Sequence, residues 1–219
     1  QLEAFEFFTD LAVKHVTAHG AQYPFEDIHP YYVVTEYASA DEAGEAAALA
    51  AFEYCMEQGW VLDGVISTSE AQAQQLWRLR EGITESVARY KPYKNDVSVR
   101  ISAMPAFLAE TQALINGAYP HFEVVWFGHI GDGNLHINVL KPDNTSDAEF
   151  LSQCEHVTKL LAQVLLRFDG SISAEHGIGL VKKAYLSSTR SEAEVALMRG
   201  VKRAFDPNWL LNPGKLFDL

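Results

Sequence analysis

The chain lacks several features that would assign it to familiar classes of protein. None of its segments approaches the roughly 18 to 20 consecutive apolar residues that a membrane-spanning helix needs. We expect no signal peptide, because no basic segment followed by an apolar one is visible. Its 17 basic and 29 acidic residues leave a net charge of −12, which disfavours nucleic acids and anionic membranes as partners. An anionic substrate would therefore need a local cluster of positive charge.

Cysteine is also scarce. Cys55 and Cys154 are the only two in 219 residues, and both fall in segments with a helical pattern. We therefore expect two buried thiols rather than a disulfide. Because free thiols are typical of a reducing compartment, we expect a cytoplasmic protein. The chain starts at Gln1 rather than methionine, and we expect it to be a fragment of a longer protein.

The sequence does contain an alternation of helical and strand patterns. Helical spacing of apolar residues and start signals predict helices over 3–19, 39–59, 70–90, 104–117, 146–168 and 191–206. Aromatic and β-branched runs predict strands over 31–37, 60–67, 96–101 and, as an adjacent pair, 122–140. Helix starts with the capping-box form Ser-x-x-Glu lie at Ser39, Ser67, Ser146 and Ser191. This order predicts an α+β fold with a mixed or antiparallel sheet covered by helices.

The most informative segment is Phe127–Asn138, which reads Phe-Gly-His-Ile-Gly-Asp-Gly-Asn-Leu-His-Ile-Asn. Asp-Gly is a preferred two-residue hairpin turn, and a turn centred on Asp132 and Gly133 would place His129 opposite His136. Opposed Cβ atoms lie about 4.5–5.5 Å apart, so the two imidazoles could share a metal ion, with Asn138 on the same face. The alternative is a pair of hydrogen-bonded histidines on a half-exposed sheet. The metal hypothesis depends on this register.

A second segment, Ser173–Gly179, places Glu175 and His176 next to each other between small residues. A carboxylate would complete a His-His-Glu set suited to Zn²⁺ or Mn²⁺, with open positions for a substrate. Because neighbours in an extended segment point in opposite directions, we expect one to face the metal and the other the substrate. An ordinary Glu-His loop is the alternative. Lys182 and Lys183 follow, and we expect both to be solvated.

A candidate cluster of positive charge lies in and after the helix predicted over 70–90. Trp77, Arg80 and Thr84 are three and four residues apart, so they share one face of a continuous helix. Arg80 can bind a carboxylate through two hydrogen bonds, and Lys94 leads into the next strand. It is equally open that Arg80 pairs with a nearby acid and that the lysine is solvated.

Three motifs, Gly128–Asn138, Ser173–Gly179 and Leu211–Lys215, together resemble the C-terminal region of the FAD-linked oxidase family. That family includes D-lactate dehydrogenase, the glycolate oxidase flavin subunit and D-2-hydroxyglutarate dehydrogenase. The resemblance implies a ferredoxin-like cap domain over 1–205. It also implies a tail, 206–219, that returns to an FAD-binding domain outside this chain and brings Asn212 near the cofactor.

The resemblance also implies a metal site and a substrate site. His129, His136 and Glu175 match the family's ligands for a divalent metal, zinc or manganese. His176 matches the residue placed near substrate and flavin, a candidate general base. The implied substrate-binding residues are Arg80, Thr84, Lys94, Asn138 and His176. A threonine at 84, in place of a bulkier aromatic residue, is similar to the D-2-hydroxyglutarate branch.

The function implied is oxidation of a D-2-hydroxy acid, such as 2-hydroxyglutarate, lactate or glycolate, to the 2-oxo acid. The hydride would pass to FAD while the metal binds the substrate. The isolated chain is then expected to be inactive, and an electron-acceptor protein or a quinone is the implied partner. A homodimer stays open. Two other classes also stay open, a metal-dependent hydrolase with a His-His-Glu site and a non-catalytic binding module.

Overall fold

A computed structural model describes residues 2–38 and 41–218, and it has the predicted α+β fold. The strands are β1 (Leu2–Thr9), β2 (Tyr31–Tyr37), β3 (Tyr93–Ser98), β4 (Val124–Gly128) and β5 (Asn134–Val139). The helices are α1 (Asp10–Ala18), α2 (Glu42–Glu57), α3 (Glu70–Glu81), α4 (Ile83–Ser86), α5 (Met104–Ala118), α6 (Asp147–Arg167), α7 (Leu186–Thr189) and α8 (Glu192–Phe205). The sequence left open whether the sheet is mixed or antiparallel. The strand pairs β1–β2, β1–β4 and β3–β5 are all antiparallel.

The chain divides into two compact units that interleave along the sequence. Unit 1 comprises Gln1–Pro92 and Val124–Gly131, and unit 2 comprises Tyr93–Glu123 and Asp132–Leu219. In unit 1, β1 lies between β2 and β4, α1 packs against β4, and α3 packs against β1 and β2. In unit 2, β3 pairs with β5, and α6 packs against β3 and α5.

The N-terminal segment differs from its prediction, because residues 3–19 form β1 followed by α1 rather than one helix. Four consecutive residues, Glu6 to Thr9, are buried, and since successive side chains point to opposite faces, the second half of β1 is buried on both faces. Phe7 and Phe8 are 4% and 1% exposed, so the run lacks the polar–apolar alternation of a half-buried strand. The spacing of Phe5 and Phe8 therefore imitated a helix.

Residues 60–67 are the second difference, since they lie outside the strands and helices. Trp60 and Leu62 are 70% and 71% exposed, so the apolar run that predicted a strand packs against little in unit 1. The next helix, α3, begins at Glu70 as predicted, but its cap is Ser69 rather than Ser67, because the Ser69 hydroxyl accepts a hydrogen bond from the N–H of Gln72. The helical segment expected to reach Tyr90 is interrupted at Gly82.

The remaining helix predictions hold. α5, α6 and α8 occupy the predicted segments, and Ser146 and Ser191 cap α6 and α8 as expected. Ser39, predicted to begin α2, lies outside the described residues, and the Asp41 carboxylate caps that helix instead. Both cysteines are free thiols, but only Cys154 is buried, so the expectation of two buried thiols was wrong for Cys55. Among the described residues, no helix is both long and apolar enough to cross a membrane.

The connection from β4 to β5 is not the predicted two-residue hairpin. β4 ends at Gly128, residues Ile130–Asp132 form a turn of 3-10 helix, and β5 starts at Asn134. Gly133 has a φ of +70°, and a Cβ there would lie 2.1 Å from the carbonyl oxygen of Val99. Its own carbonyl accepts the Val99 N–H at 3.0 Å. The glycine is therefore needed for close backbone packing, and the register built on the hairpin was wrong.

Candidate metal and substrate site

The ladder between β3 and β5 brings four polar residues to one face of unit 2. Asp96 is opposed to His136, and Lys94 is opposed to Asn138. Because the two pairs are two residues apart along each strand, all four share a face. This confirms the prediction that His136 and Asn138 point the same way. Leu135 and Ile137, fully buried on the other face, belong to the core.

The segment that carries the predicted Glu-His motif is joined to the end of this ladder. Ser171 forms an isolated antiparallel bridge with Ser98, the last residue of β3. The Ser98 N–H donates to the Ser171 carbonyl at 3.1 Å, and the Ser171 N–H donates back at 2.8 Å. The segment that follows is therefore held beside β3, two residues from Asp96.

Asp96 is the central residue of the site and was missed by the sequence analysis. Its side chain is fully buried, and its Oδ2 accepts backbone N–H groups from Ala174, Glu175 and His176 at 3.1, 3.0 and 2.9 Å. Successive N–H groups that converge on one anion form a concave, curled backbone. Because the segment curls, the expected opposite orientation of Glu175 and His176 does not occur.

Both side chains instead lie beside His136. Oε1 of Glu175 is 3.4 Å from Nε2 of His136 and 3.5 Å from Nε2 of His176. The two imidazole rings are stacked, with centroids 5.6 Å apart. With Asp96, these residues offer four ligand atoms that lie within 4.8 Å of one another. Two imidazoles and two carboxylates are a donor set that suits zinc or manganese.

The charges around Asp96 explain how a carboxylate is accommodated in the interior. Lys182 is 9% exposed, and its Nζ donates to the Asp96 carbonyl at 3.0 Å and lies 3.9 Å from Oδ2. Burial tends to raise the pKa of Asp96, but the N–H groups of His176 and Glu175 and the charges of Lys182 and His176 outweigh it and hold the pKa below its ordinary value. Burial lowers the pKa of Lys182, against the attraction of Asp96. The expectation that Lys182 is solvated was therefore wrong.

In unit 1, Arg80 is part of a buried polar group. Its Nε lies 2.8 Å from Oε2 of Glu6, the two residues are 7% and 5% exposed, and its guanidinium lies over the ring of Phe127, 4.9 Å from the centroid. Of the two alternatives for Arg80, the ion pair with an acid is present. The sequence analysis missed Glu6. A lone acid within the aromatic run of 5–8 was a signal that could have found it, because a buried carboxylate needs partners.

The other carboxylate oxygen of Glu6 lies 2.8 Å from Nδ1 of His129. Nε2 of the same ring lies 3.5 Å from Nη2 of Arg80. Because a carboxylate only accepts and a guanidinium only donates, the proton is assigned to Nδ1 and the lone pair to Nε2. A histidine whose Nδ1–H is held by a carboxylate is the arrangement that orients metal-binding imidazoles in proteins.

The remaining predicted residues lie at the surface. Thr84 is exposed on α4 and Lys94 is exposed on β3. Trp77, expected to share a face with Arg80, is half-buried and donates its indole N–H to Glu36 at 2.7 Å. Asn212, the candidate cofactor contact, is exposed in a tail that is held to unit 2, where the Leu216 N–H donates to the carbonyl of Gly179 at 2.9 Å.

Comparison with known proteins gives the class to which this fold and cluster belong. The family model described as FAD linked oxidases, C-terminal domain, matches residues 1–216. The chain belongs to this family.

Several curated relatives are similar over nearly the whole chain. A D-2-hydroxyglutarate dehydrogenase of Xanthomonas citri pv. viticola is 78% identical over 218 residues, which are 100% of this chain and 46% of that protein. A D-2-hydroxyglutarate dehydrogenase of Stutzerimonas stutzeri is 51% identical over 217 residues, 99% of this chain and 47% of that protein. A putative mitochondrial D-lactate dehydrogenase of Schizosaccharomyces pombe is 35% identical over 226 residues, 98% of this chain and 42% of that protein. The chain thus spans about half the length of the first two relatives.

Proposed function

We propose that this chain is the substrate- and metal-binding part of a flavin-dependent dehydrogenase that oxidises a D-2-hydroxy acid, D-2-hydroxyglutarate, to the 2-oxo acid. The observation that carries the proposal is the cluster of Asp96, His136, Glu175 and His176 in unit 2 of a member of the FAD linked oxidase family. Relatives named D-2-hydroxyglutarate dehydrogenase favour the dicarboxylate over lactate or glycolate. An electron-acceptor protein or quinone as partner and a cytoplasmic location are part of the same proposal.

A divalent metal ion fits the donor set of unit 2. His136 and Glu175 would hold it, since Nε2 of the one and Oε1 of the other are 3.4 Å apart and the chemistry suits zinc or manganese. When bound, the ion would lower the pKa of a coordinated hydroxyl group and would attract the α-carboxylate of the substrate. His129 remains the predicted third ligand.

Binding of a dicarboxylate requires fixed donors in a chain with a net charge of −12. In unit 2, the exposed Lys94 stands directly opposite Asn138, which is 2% exposed, so both side chains leave the same face of the ladder. In unit 1, Arg80 and Thr84 are the proposed contacts. Arg80 is buried and paired with Glu6, so it is preorganised and loses little conformational entropy when it binds an anion.

His176 is the proposed general base that takes the proton of the substrate hydroxyl. Its side chain is 50% exposed, its Nδ1 lies 3.8 Å from Oδ2 of Asp96, and its Nε2 lies 3.5 Å from Oε1 of Glu175. The imidazole therefore has a carboxylate near each of its two nitrogens. FAD, bound by a part of the protein beyond this chain, would accept the hydride.

The test is anaerobic stopped-flow measurement of flavin reduction in the intact protein, with a panel of D- and L-2-hydroxy acids. We expect bleaching by D-2-hydroxyglutarate and none by its L enantiomer. His176→Ala should slow bleaching by roughly 10²–10⁴-fold, the usual contribution of a general base. His156→Ala, at an exposed position of α6, is the matched control and should leave the rate unchanged.

The outcomes separate the parts of the proposal. Failure of every D-2-hydroxy acid to bleach the flavin would reject the dehydrogenase activity. Bleaching by D-lactate but not by D-2-hydroxyglutarate would reject the substrate assignment. A His176→Ala rate close to that of the wild type would reject the role of His176 as base.

A further inference from the structure

We propose that Asp96 is a positioning residue, whose buried carboxylate folds the segment Ala174–His176 so that both Glu175 and His176 face His136. The catalytic consequence of this inference rests on the proposed function, but the structural consequence does not. Asp96 need not touch the substrate in this role. It acts through the backbone of the segment that carries the two functional side chains.

The geometry of the hydrogen bonds supports this role. One oxygen of Asp96 accepts the N–H groups of three consecutive residues, 174–176, all within 3.1 Å. A straight segment cannot direct three successive N–H groups to one point, so the carboxylate and the curl require each other. The curl in turn places Glu175 and His176 on the same side, within 3.5 Å of each other at Oε1 and Nε2.

The location of the charge gives a second argument. Asp96 lies within β3, where its main chain pairs with β5 and its side chain is fully buried. A buried carboxylate is costly unless hydrogen bonds and an opposite charge compensate it. The compensation comes mainly from the 174–176 backbone and from the charge of Lys182, whose Nζ lies 3.9 Å from Oδ2. The free energy that keeps this carboxylate charged is therefore tied to the curled backbone of the segment.

The length of the side chain provides a test that separates position from charge. Asp96→Glu keeps the negative charge but moves the carboxylate outward by about one carbon–carbon bond, and a displacement of about 1 Å at a catalytic group can cost about a hundredfold in rate. A role that is only electrostatic would be preserved in this variant. A positioning role would not be, so the conservative variant is the informative one.

The first measurement uses the unaltered intact protein. Glu175 and His176 have side chains that are about half exposed, at 49% and 50%, and an exposed loop ordinarily exchanges its amide hydrogens rapidly. We expect hydrogen–deuterium exchange in a peptide covering 174–176 to be at least tenfold slower than the intrinsic rate of an unstructured peptide. Exchange at the intrinsic rate would overturn the inference, whether or not any variant folds.

The second measurement compares Asp96→Glu and Asp96→Asn with the wild type in the intact protein. Titration of the metal-stripped protein with Zn²⁺ and Mn²⁺ should show affinity reduced by 10- to 100-fold, the usual effect of residues that orient metal ligands. If the wild-type protein oxidises the 2-hydroxy acid, kcat should fall about a hundredfold in Asp96→Glu, whereas KM should change less than threefold. Asp169→Asn, at an exposed carboxylate paired with Arg100, is the control and should behave as the wild type.

Wild-type metal affinity and kcat in Asp96→Glu would overturn the inference, because displacement of the carboxylate would then have no consequence. Faster exchange of the 174–176 amides in folded Asp96→Asn, together with weaker metal binding, supports it. Failure of the proposed function looks different. In that case the wild-type flavin would not be bleached by any 2-hydroxy acid, while the exchange and metal titrations would still decide the role of Asp96.

Discussion

Replacement of Glu6 by alanine should strongly destabilise unit 1. The ion pair between Glu6 and Arg80 is close, at 2.8 Å, and the two side chains are 7% and 8% exposed, so solvent screens it little. Removal of one partner of a buried ion pair typically costs about 3–5 kcal/mol, because the remaining charge is left without compensation. For a domain of this size each kcal/mol lowers the melting temperature by about 2–4 °C, so we expect a decrease of about 6–20 °C.

The assay is urea and thermal unfolding of the intact protein, followed by circular dichroism and intrinsic fluorescence. Glu3→Ala is the matched control, since Glu3 is an exposed glutamate on the same strand, and it should change the free energy of unfolding by less than about 0.5 kcal/mol. The double variant Glu6→Met with Arg80→Met removes both charges and replaces them with apolar groups. Because such replacement of a buried pair is often nearly neutral, the double variant should be more stable than either single methionine variant.

Two results would refute this reasoning. A cost below about 1 kcal/mol for Glu6→Ala would show that the Arg80 charge is compensated without Glu6. Additive losses in the double variant would show that the two charges do not depend on each other, because coupled neighbours deviate from additivity. In either case the buried pair would not be what holds Arg80 and orients His129 in unit 1.

Three further predictions follow from single positions. Gly133→Ala should cost more than about 2 kcal/mol of unfolding free energy, because its φ is +70° and the new Cβ would lie 2.1 Å from a backbone oxygen. The control is Gly117→Ala in α5, where a new Cβ would have nothing within 4 Å, and it should stabilise the protein by about 0.5–1 kcal/mol. Equal effects of the two substitutions in urea unfolding would contradict this prediction. The lowered pKa of Asp96 means that the folded state favours the charged form, so its stabilisation is present above the unfolded pKa of about 3.9 and is lost as the pH falls through the folded value. The difference in unfolding free energy between the wild type and Asp96→Asn should therefore shrink below about pH 4, and a constant difference would argue against it. Burial raises the pKa of Cys154 to about 12, so this thiol should not react with an alkylating reagent at pH 8. Peptide mapping of the alkylated native protein should find Cys154 unmodified and the half-buried Cys55 modified. Rapid labelling of Cys154 would show that its burial is not maintained.

Local signals in the sequence were sufficient where the structure depends on nearby residues. Ser146 and Ser191 mark the starts of α6 and α8 correctly, because a serine cap and its N–H partner are three residues apart. The common face of His136 and Asn138 likewise follows from the two-residue period of a strand. The motifs that contain His129, His136 and Glu175 were enough to place the chain in its family.

The rest was decided by partners that are distant in the sequence. The helical spacing of 3–19 gave way to β1 because strands from two other segments pair with it. Glu6 and His129 are 123 residues apart, and Asp96 and His176 are 80 residues apart, so no local pattern could reveal that these carboxylates have partners. A buried charge is stable only where the fold supplies hydrogen bonds and opposite charges. The sequence by itself therefore determined the starts of α6 and α8, the common face of His136 and Asn138, and the family, whereas the tertiary structure alone decided which acids hold the proposed substrate- and metal-binding residues in place.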